Sequence, residues 1–187
     1  MTEHQPYDVI AEYPDIEVRR YPAHLVAEIE TGGPFELAGN LAFPRLARYI
    51  GGHNRPARKV EMTAPVVQEE DPQTHRFVVG FVMPADISAE DLPDPLDPRV
   101  RTRSVPAHVA AALRFSGWWS RRSYERRTAK LLAAVEAAGL EVDGLPRYAR
   151  FDPPWTPWFL RHNEVVVPVK EPETSGSEVL PDSDSVL

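Results

Sequence analysis

Two stretches of the chain, residues 16–33 and 100–117, are weak copies of one another at an offset of 84. With IEVRRYPAHLVAEIETGG laid over VRTRSVPAHVAAALRFSG, six of 18 positions match: Arg19/Arg103, Pro22/Pro106, Ala23/Ala107, His24/His108, Ala27/Ala111 and Gly33/Gly117. Ordinary composition yields roughly one match by chance, and the unbroken Pro-Ala-His run is harder still to obtain that way. An interval of 84 residues is too long for a solenoid or propeller unit. It points to a single domain of two similar halves, with any ligand site where the halves meet or on the helix of one half.

Each copy reads as a strand broken by proline. Ile16, Val18 and Arg20 alternate with Glu17, Arg19 and Tyr21, the period of a half-buried strand. Pro22 has no N–H for the ladder, after which Leu25, Ala27 and Ile29 resume the pattern. Val109, Ala111, Leu113 and Phe115 do the same after Pro106. A glycine turn and a helix follow each copy. Phe35, Ala38, Ala42, Leu46, Tyr49 and Ile50 fall on one stripe at helical spacing, predicting a helix over 35–50 that Gly51-Gly52 closes. Pro44 inside it predicts a kink or a late start. Ser120 predicts the N-cap of a second helix, with Tyr124, Thr128, Leu131, Val135 and Ala138 buried and a stop at Gly139. Two strands follow each helix: 60–68 and 75–83, then 147–151 and 164–170, the last pair joined by the long loop DPPWTPWFLRHN. The fold class is α+β: two pseudo-symmetric βαββ halves forming a twisted antiparallel sheet or distorted barrel with two main helices.

At 187 residues the chain suffices for one domain with a proper core. The net charge of −7 is concentrated at its end: residues 171–187 hold five acids and no Lys or Arg, which leaves 23 acids against 21 bases, or −2, elsewhere. A near-neutral body gives no case for nucleic acid or anionic membrane partners. We therefore expect one domain over 1–170 and an acidic, disordered tail over 171–187. The absence of cysteine excludes disulfides, thiolate metal sites and a cysteine nucleophile. The opening MTEHQPYDVIAEYPD has neither the basic start nor the apolar stretch of a secretory leader, and no run of 18 apolar residues occurs. A cytoplasmic location is the expectation.

No catalytic constellation emerges. Arg121, Arg122, Arg126, Arg127 and Lys130 beside Trp118-Trp119 suggest a nucleic-acid face, yet Glu125 and Glu136 interrupt the run, as on a solvated helix. Asp86, Asp91, Asp94 and Asp97 lack the glycine-centred loop that calcium needs. Ser116 has no nucleophile elbow around it, and neither a phosphate loop nor an H-E-x-x-H motif is present. His24 and His108, at equivalent places in the two copies, read as structural.

Taken in order, IEVRRYPAHLVAE, GGHNRPARKVEMTAPV, RFVVGFVMP, VRTRSVPAHVAAALRFSGWWS and YARFDPPWTPWFLRHNEVVVPV resemble the SOUL heme-binding protein family over roughly residues 7–170. The resemblance implies a pseudo-twofold barrel related to small-molecule effector-binding domains, with heme or another tetrapyrrole as ligand and no enzymatic activity. It places the site on the first helix and the loop between the last two strands. On that helix Asn40, Phe43 and Ala47 lie about a quarter-turn off the buried stripe, with Arg48 one residue further round. The loop supplies Trp155, Trp158, Phe159 and Leu160. Heme needs an apolar wall, a cation for its propionates and often an axial side chain. Some family members carry a candidate axial His before the Tyr of the first strand; here that residue is Arg20. The remaining axial candidates are His53 and His162, and binding without a protein ligand is the alternative. Glu61 stands where the family has a small residue before MTAP. A second reading keeps the same domain as an effector-binding-like sensor or interaction module for another apolar or cationic small molecule.

Overall fold

The computed structural model describes residues 3–171, so the tail expected to be disordered over 171–187 lies, from residue 172 on, outside the described residues. The strands of the main sheet are β1 (Asp8–Glu12), β2 (Glu17–Tyr21), β3 (His24–Thr31), β4 (Val66–Glu70), β5 (Phe77–Val82), β6 (Arg101–Val105), β7 (His108–Phe115), β8 (Arg147–Arg150) and β9 (Asn163–Pro168). They form one antiparallel sheet in the order β6-β3-β5-β4-β8-β9-β7-β2-β1. Helix α1 spans Phe35–Ile50 and α2 spans Arg121–Ala137. Two short pairings, Glu3–His4 with Thr63–Ala64 and Asn54–Arg55 with Asp94–Pro95, lie beside it. No helix among the described residues is long and apolar enough to cross a membrane.

The prolines do more than interrupt a strand. β2 pairs with β7, whereas β3, beyond Pro22, pairs with β5 and β6. Likewise β6 pairs with β3, and β7, beyond Pro106, pairs with β9 and β2. The opening strand of each half is thus laid against the other half. Tyr21 stands opposite His108 and Val105 opposite His24. Each histidine donates its Nδ1–H to the proline carbonyl two residues before it, 2.9 Å to Pro22 and 3.0 Å to Pro106. This leaves both Nε2 atoms as acceptors, which take N–H groups from Gln5 at 3.2 Å and Arg147 at 3.3 Å. Burial lowers the pKa of both rings, in keeping with neutral imidazoles.

Strand alternation sorts the two faces. Ala27, Ile29, Val79, Phe81, Ala111, Leu113, Val165 and Val167 pack with the helices into the main core. The expected stripe of α1 is buried along its whole length, joined by Gly39. Pro44 neither delays nor ends the helix: it sits on the exposed side, where its missing N–H withholds a ladder bond from the Asn40 carbonyl but opens no gap in the core. Ser120 caps α2, its Oγ accepting from the Ser123 N–H at 3.3 Å. Of the stripe on α2, Tyr124, Leu131 and Val135 are buried, and Thr128 and Ala138 half-buried. The strand expected over 60–68 starts later. Val60 donates its N–H to the Ile50 carbonyl at 2.8 Å and so belongs to the end of α1. The proline-rich linker is fastened under the same helix by Tyr49 Oη donating to the Pro93 carbonyl (2.8 Å) and by Arg45 on Asp97 (2.6 Å).

Candidate functional site

The loop between β8 and β9 holds its own backbone. Asp152 accepts the His162 N–H at 2.5 Å, Arg161 donates to the Thr156 and Pro154 carbonyls at 2.8 and 2.6 Å, and Trp158–Leu160 forms one 3₁₀ turn. The Gly117 N–H donates to the Trp158 carbonyl at 3.0 Å, tying the loop to the entry of α2. With the backbone secured, the large side chains stand in solvent. Trp155 is 82% exposed, Leu160 65%, Phe159 58% and Trp158 46%. Trp118 stacks on Trp158 at 6.0 Å and is itself 61% exposed. Each ring or chain left in water forgoes about 1.5–3 kcal/mol of burial, and so large an apolar patch on a folded domain marks an interaction surface.

Helix α1 meets this corner through its first half. Phe35 stacks on Trp119 at 5.5 Å, and the Glu36 carboxylate accepts the backbone N–H of Arg121 at 2.8 Å, a bond that holds its pKa below the usual range. Gly39 matters here: a Cβ at this position would lie 1.5 Å from Nη2 of Arg150, the last residue before the loop. The guanidinium of Arg150 therefore lies directly on the helix backbone, with its carbon 3.8 Å from the centre of the Trp119 ring. Burial pushes its pKa down to about 10, and no carboxylate among the described residues pairs with it.

Asn40, Phe43 and Arg48 are exposed and Ala47 half-buried on the outer side of α1. Phe43 rests edge-on against Phe81 at 5.4 Å yet remains 41% exposed, so the loop does not seal it. Arg48 has no carboxylate partner among the described residues. Leu37 and Leu41, which our sequence reading passed over, extend the apolar exposure of the helix. Their i, i+4 spacing opposite the buried stripe was the available signal. Trp118 and Arg150 were likewise not assigned to the site.

The two axial candidates are not brought together. His53 follows the C-terminal end of α1 and is exposed, its backbone N–H donating to the Arg48 carbonyl at 2.9 Å. His162 lies at the loop base, its ring stacked on Phe151 at 4.0 Å and its Nε2 held 2.8 Å from Glu164. Arg20 is an exposed residue of β2 that pairs with Glu171, and Glu61 is exposed. No group of three or more His, Asp or Glu suited to a metal ion occurs among the described residues.

A curved antiparallel sheet closed on one face by two helices, with an aromatic loop left open at their edge, is a scaffold shared with other proteins. The EcmrR C-terminal domain superposes with a TM-score of 0.65 at 16% identity, covering 88% of this chain and 98% of that one. An uncharacterised conserved protein from Listeria innocua does so with a TM-score of 0.59 at 14% identity, covering 86% and 94%. These likenesses speak for the fold alone. The chain belongs to the SOUL heme-binding protein family, whose model matches residues 2–168. Heme-binding protein 1 of Sus scrofa is 26% identical over 140 residues, covering 72% of this chain and 73% of the relative. Its counterpart in Xenopus tropicalis is 26% identical over 163 residues, covering 79% and 84%.

Proposed function

We propose that this protein binds heme or a closely related tetrapyrrole on the outer side of α1 and the β8–β9 loop, and sequesters or carries it. The observation behind this reading is the set of apolar side chains that a self-bonded loop holds in water beside α1: Trp155, Trp158, Phe159 and Leu160, with Trp118. A flat apolar ring returns their lost burial without any rearrangement of the core. Phe43 and Ala47 supply wall from the helix. Asn40 and Arg48 supply the polar edge, with Arg48 set to meet a propionate. Heme would bring a redox-active iron; the chain contributes an apolar surface and a cation. With His162 committed to Glu164 and no cluster of metal-ligating side chains among the described residues, the ring is held chiefly by apolar contact, so affinity is modest.

Titrating hemin into the purified protein should shift the Soret band and quench tryptophan fluorescence, with Trp155 and Trp158 as reporters. No change in either at micromolar hemin rejects the proposal. Phe43→Asp should weaken binding by at least about tenfold, since it puts a carboxylate on the apolar wall, while leaving the melting curve in place. Unchanged affinity removes α1 from the site. His53→Ala and His162→Ala should both leave the Soret maximum where it is; a shift in one of them assigns the axial ligand to that residue.

A further inference from the structure

The sheet face turned away from the helices carries a groove of about 310 Å³, separate from the ledge on α1. Its walls are Val26, Val67, Val78, Val82, Val105 and Leu145. Gly80 deepens its floor, since a Cβ there would lie 3.3 Å from the Val67 side chain. The charges inside are of both signs, and only some are matched. Glu28 pairs with Arg103 at 2.9 Å, and Asp143 at the rim is open to water. Glu69 and Arg147 are direct cross-strand partners, yet they form no ion pair. Arg147 instead turns to His108 Nε2 (3.3 Å) and lies over the Tyr21 ring, 4.7 Å from its centre. Glu69 has no hydrogen bond or ion pair among the described residues. Burial raises its pKa against the opposing pull of Arg147 and Arg103.

A carboxylate and a guanidinium left side by side without a direct ion pair, in an apolar groove, define a particular kind of guest. A simple cation drawn to Glu69 is repelled by Arg147 and Arg103, and a simple anion drawn to Arg147 is repelled by Glu69 and Glu28. A molecule carrying both charges on groups attached to one carbon avoids both penalties. We infer that this groove binds a small zwitterion of the amino-acid type with an apolar side chain, its ammonium on Glu69, its carboxylate on Arg147 and its side chain among the valines. The size of the groove, at the small end for organic ligands, suits one such molecule and excludes a tetrapyrrole.

The test titrates L-leucine and L-phenylalanine into the full chain, with phenethylamine and 3-phenylpropionate as the corresponding single-charge probes. Binding is read by calorimetry and by methyl shifts of Val26, Val67 and Val82. Saturable binding with a Kd below about 1 mM is expected for at least one amino acid. Either single-charge probe should bind at least about tenfold more weakly, as should Glu69→Gln and Arg147→Gln, each having lost one charge-assisted hydrogen bond. Leu145→Trp, a rim change at a half-exposed position, should weaken binding with both charges intact, and so stands if a charge variant fails to fold. The inference is overturned if neither amino acid saturates the groove methyls by about 10 mM. It is also overturned if phenethylamine binds as well as phenylalanine, which would mark a plain cation site, or if Glu69→Gln or Leu145→Trp folds and leaves affinity unchanged.

Discussion

Glu69 and Glu164 are carboxylates drawn out of water on the same face of the sheet, and their surroundings treat them in opposite ways. For Glu164, burial pushes the pKa up, but the His162 bond at 2.8 Å and the two Arg19 bonds at 2.7 and 3.1 Å outweigh it and leave the group below its usual 4.5. A depressed native pKa means stability that is full above the unfolded value and lost as pH falls through the native one. For Glu69 burial wins and the pKa is raised, so the native state holds this proton more tightly than the unfolded chain does and stability falls as pH rises past 4.5. Glu164→Gln should therefore cost about 3 kcal/mol at pH 7, the loss expected when one partner of a buried pair is removed, and the cost should shrink towards pH 3. Glu69→Gln should raise the melting temperature at pH 7, with the gain vanishing in acid. Thermal melts of both variants across pH 3–8 check the pair of opposite slopes; a destabilised Glu69→Gln contradicts the account of the groove. Neither environment was legible in the sequence, because each depends on partners from distant strands: Arg19 lies 145 residues from Glu164.

At the scale of the element, α1 was read from its sequence with its bounds intact, because six apolar residues at helical spacing and a Gly-Gly stop dictate it without outside help. Pro44 was misjudged. A mid-helix proline costs about 3 kcal/mol in isolation, but packing of Ala38, Ala42, Leu46 and Tyr49 against β3 and β5 holds the helix through it. Pro44→Ala should then stabilise the domain by about 1–3 kcal/mol, seen as a higher midpoint in urea with an unchanged m-value. A loss of stability would mean that the proline relieves a strain. The β8–β9 loop shows the opposite limit of sequence reading. Its composition named the rings, and the resemblance named their role, but neither says that they stand in solvent. The bonds that keep them outward run from Arg161 and Asp152 to the loop's own backbone, and no pattern of hydrophobicity encodes those.

For the whole molecule, what matters is that β2 and β6 each complete the other half. A chain cut in the exposed linker near Ala89 would leave the first fragment with β3 missing its β6 neighbour, β2 missing β7 and β4 missing β8. The second fragment would have β7 without β2, β6 without β3 and β8 without β4. Each would expose three strand edges and half of one continuous core, which small fragments cannot offset. The halves matched in sequence are therefore not halves in folding. Fragments 1–89 and 90–187 should each lack a cooperative melt when alone, and on mixing should regain the circular dichroism of the intact chain with one shared transition. Intact protein should likewise unfold in a single step by tryptophan fluorescence and far-ultraviolet signal. Trp118, Trp119, Trp155 and Trp158 all lie in the second half, so the fluorescence reports that half alone and the far-ultraviolet signal reports both. Separation of the two curves would mean that the exchanged strands do not couple the halves, and that each half-sheet carries its own stability.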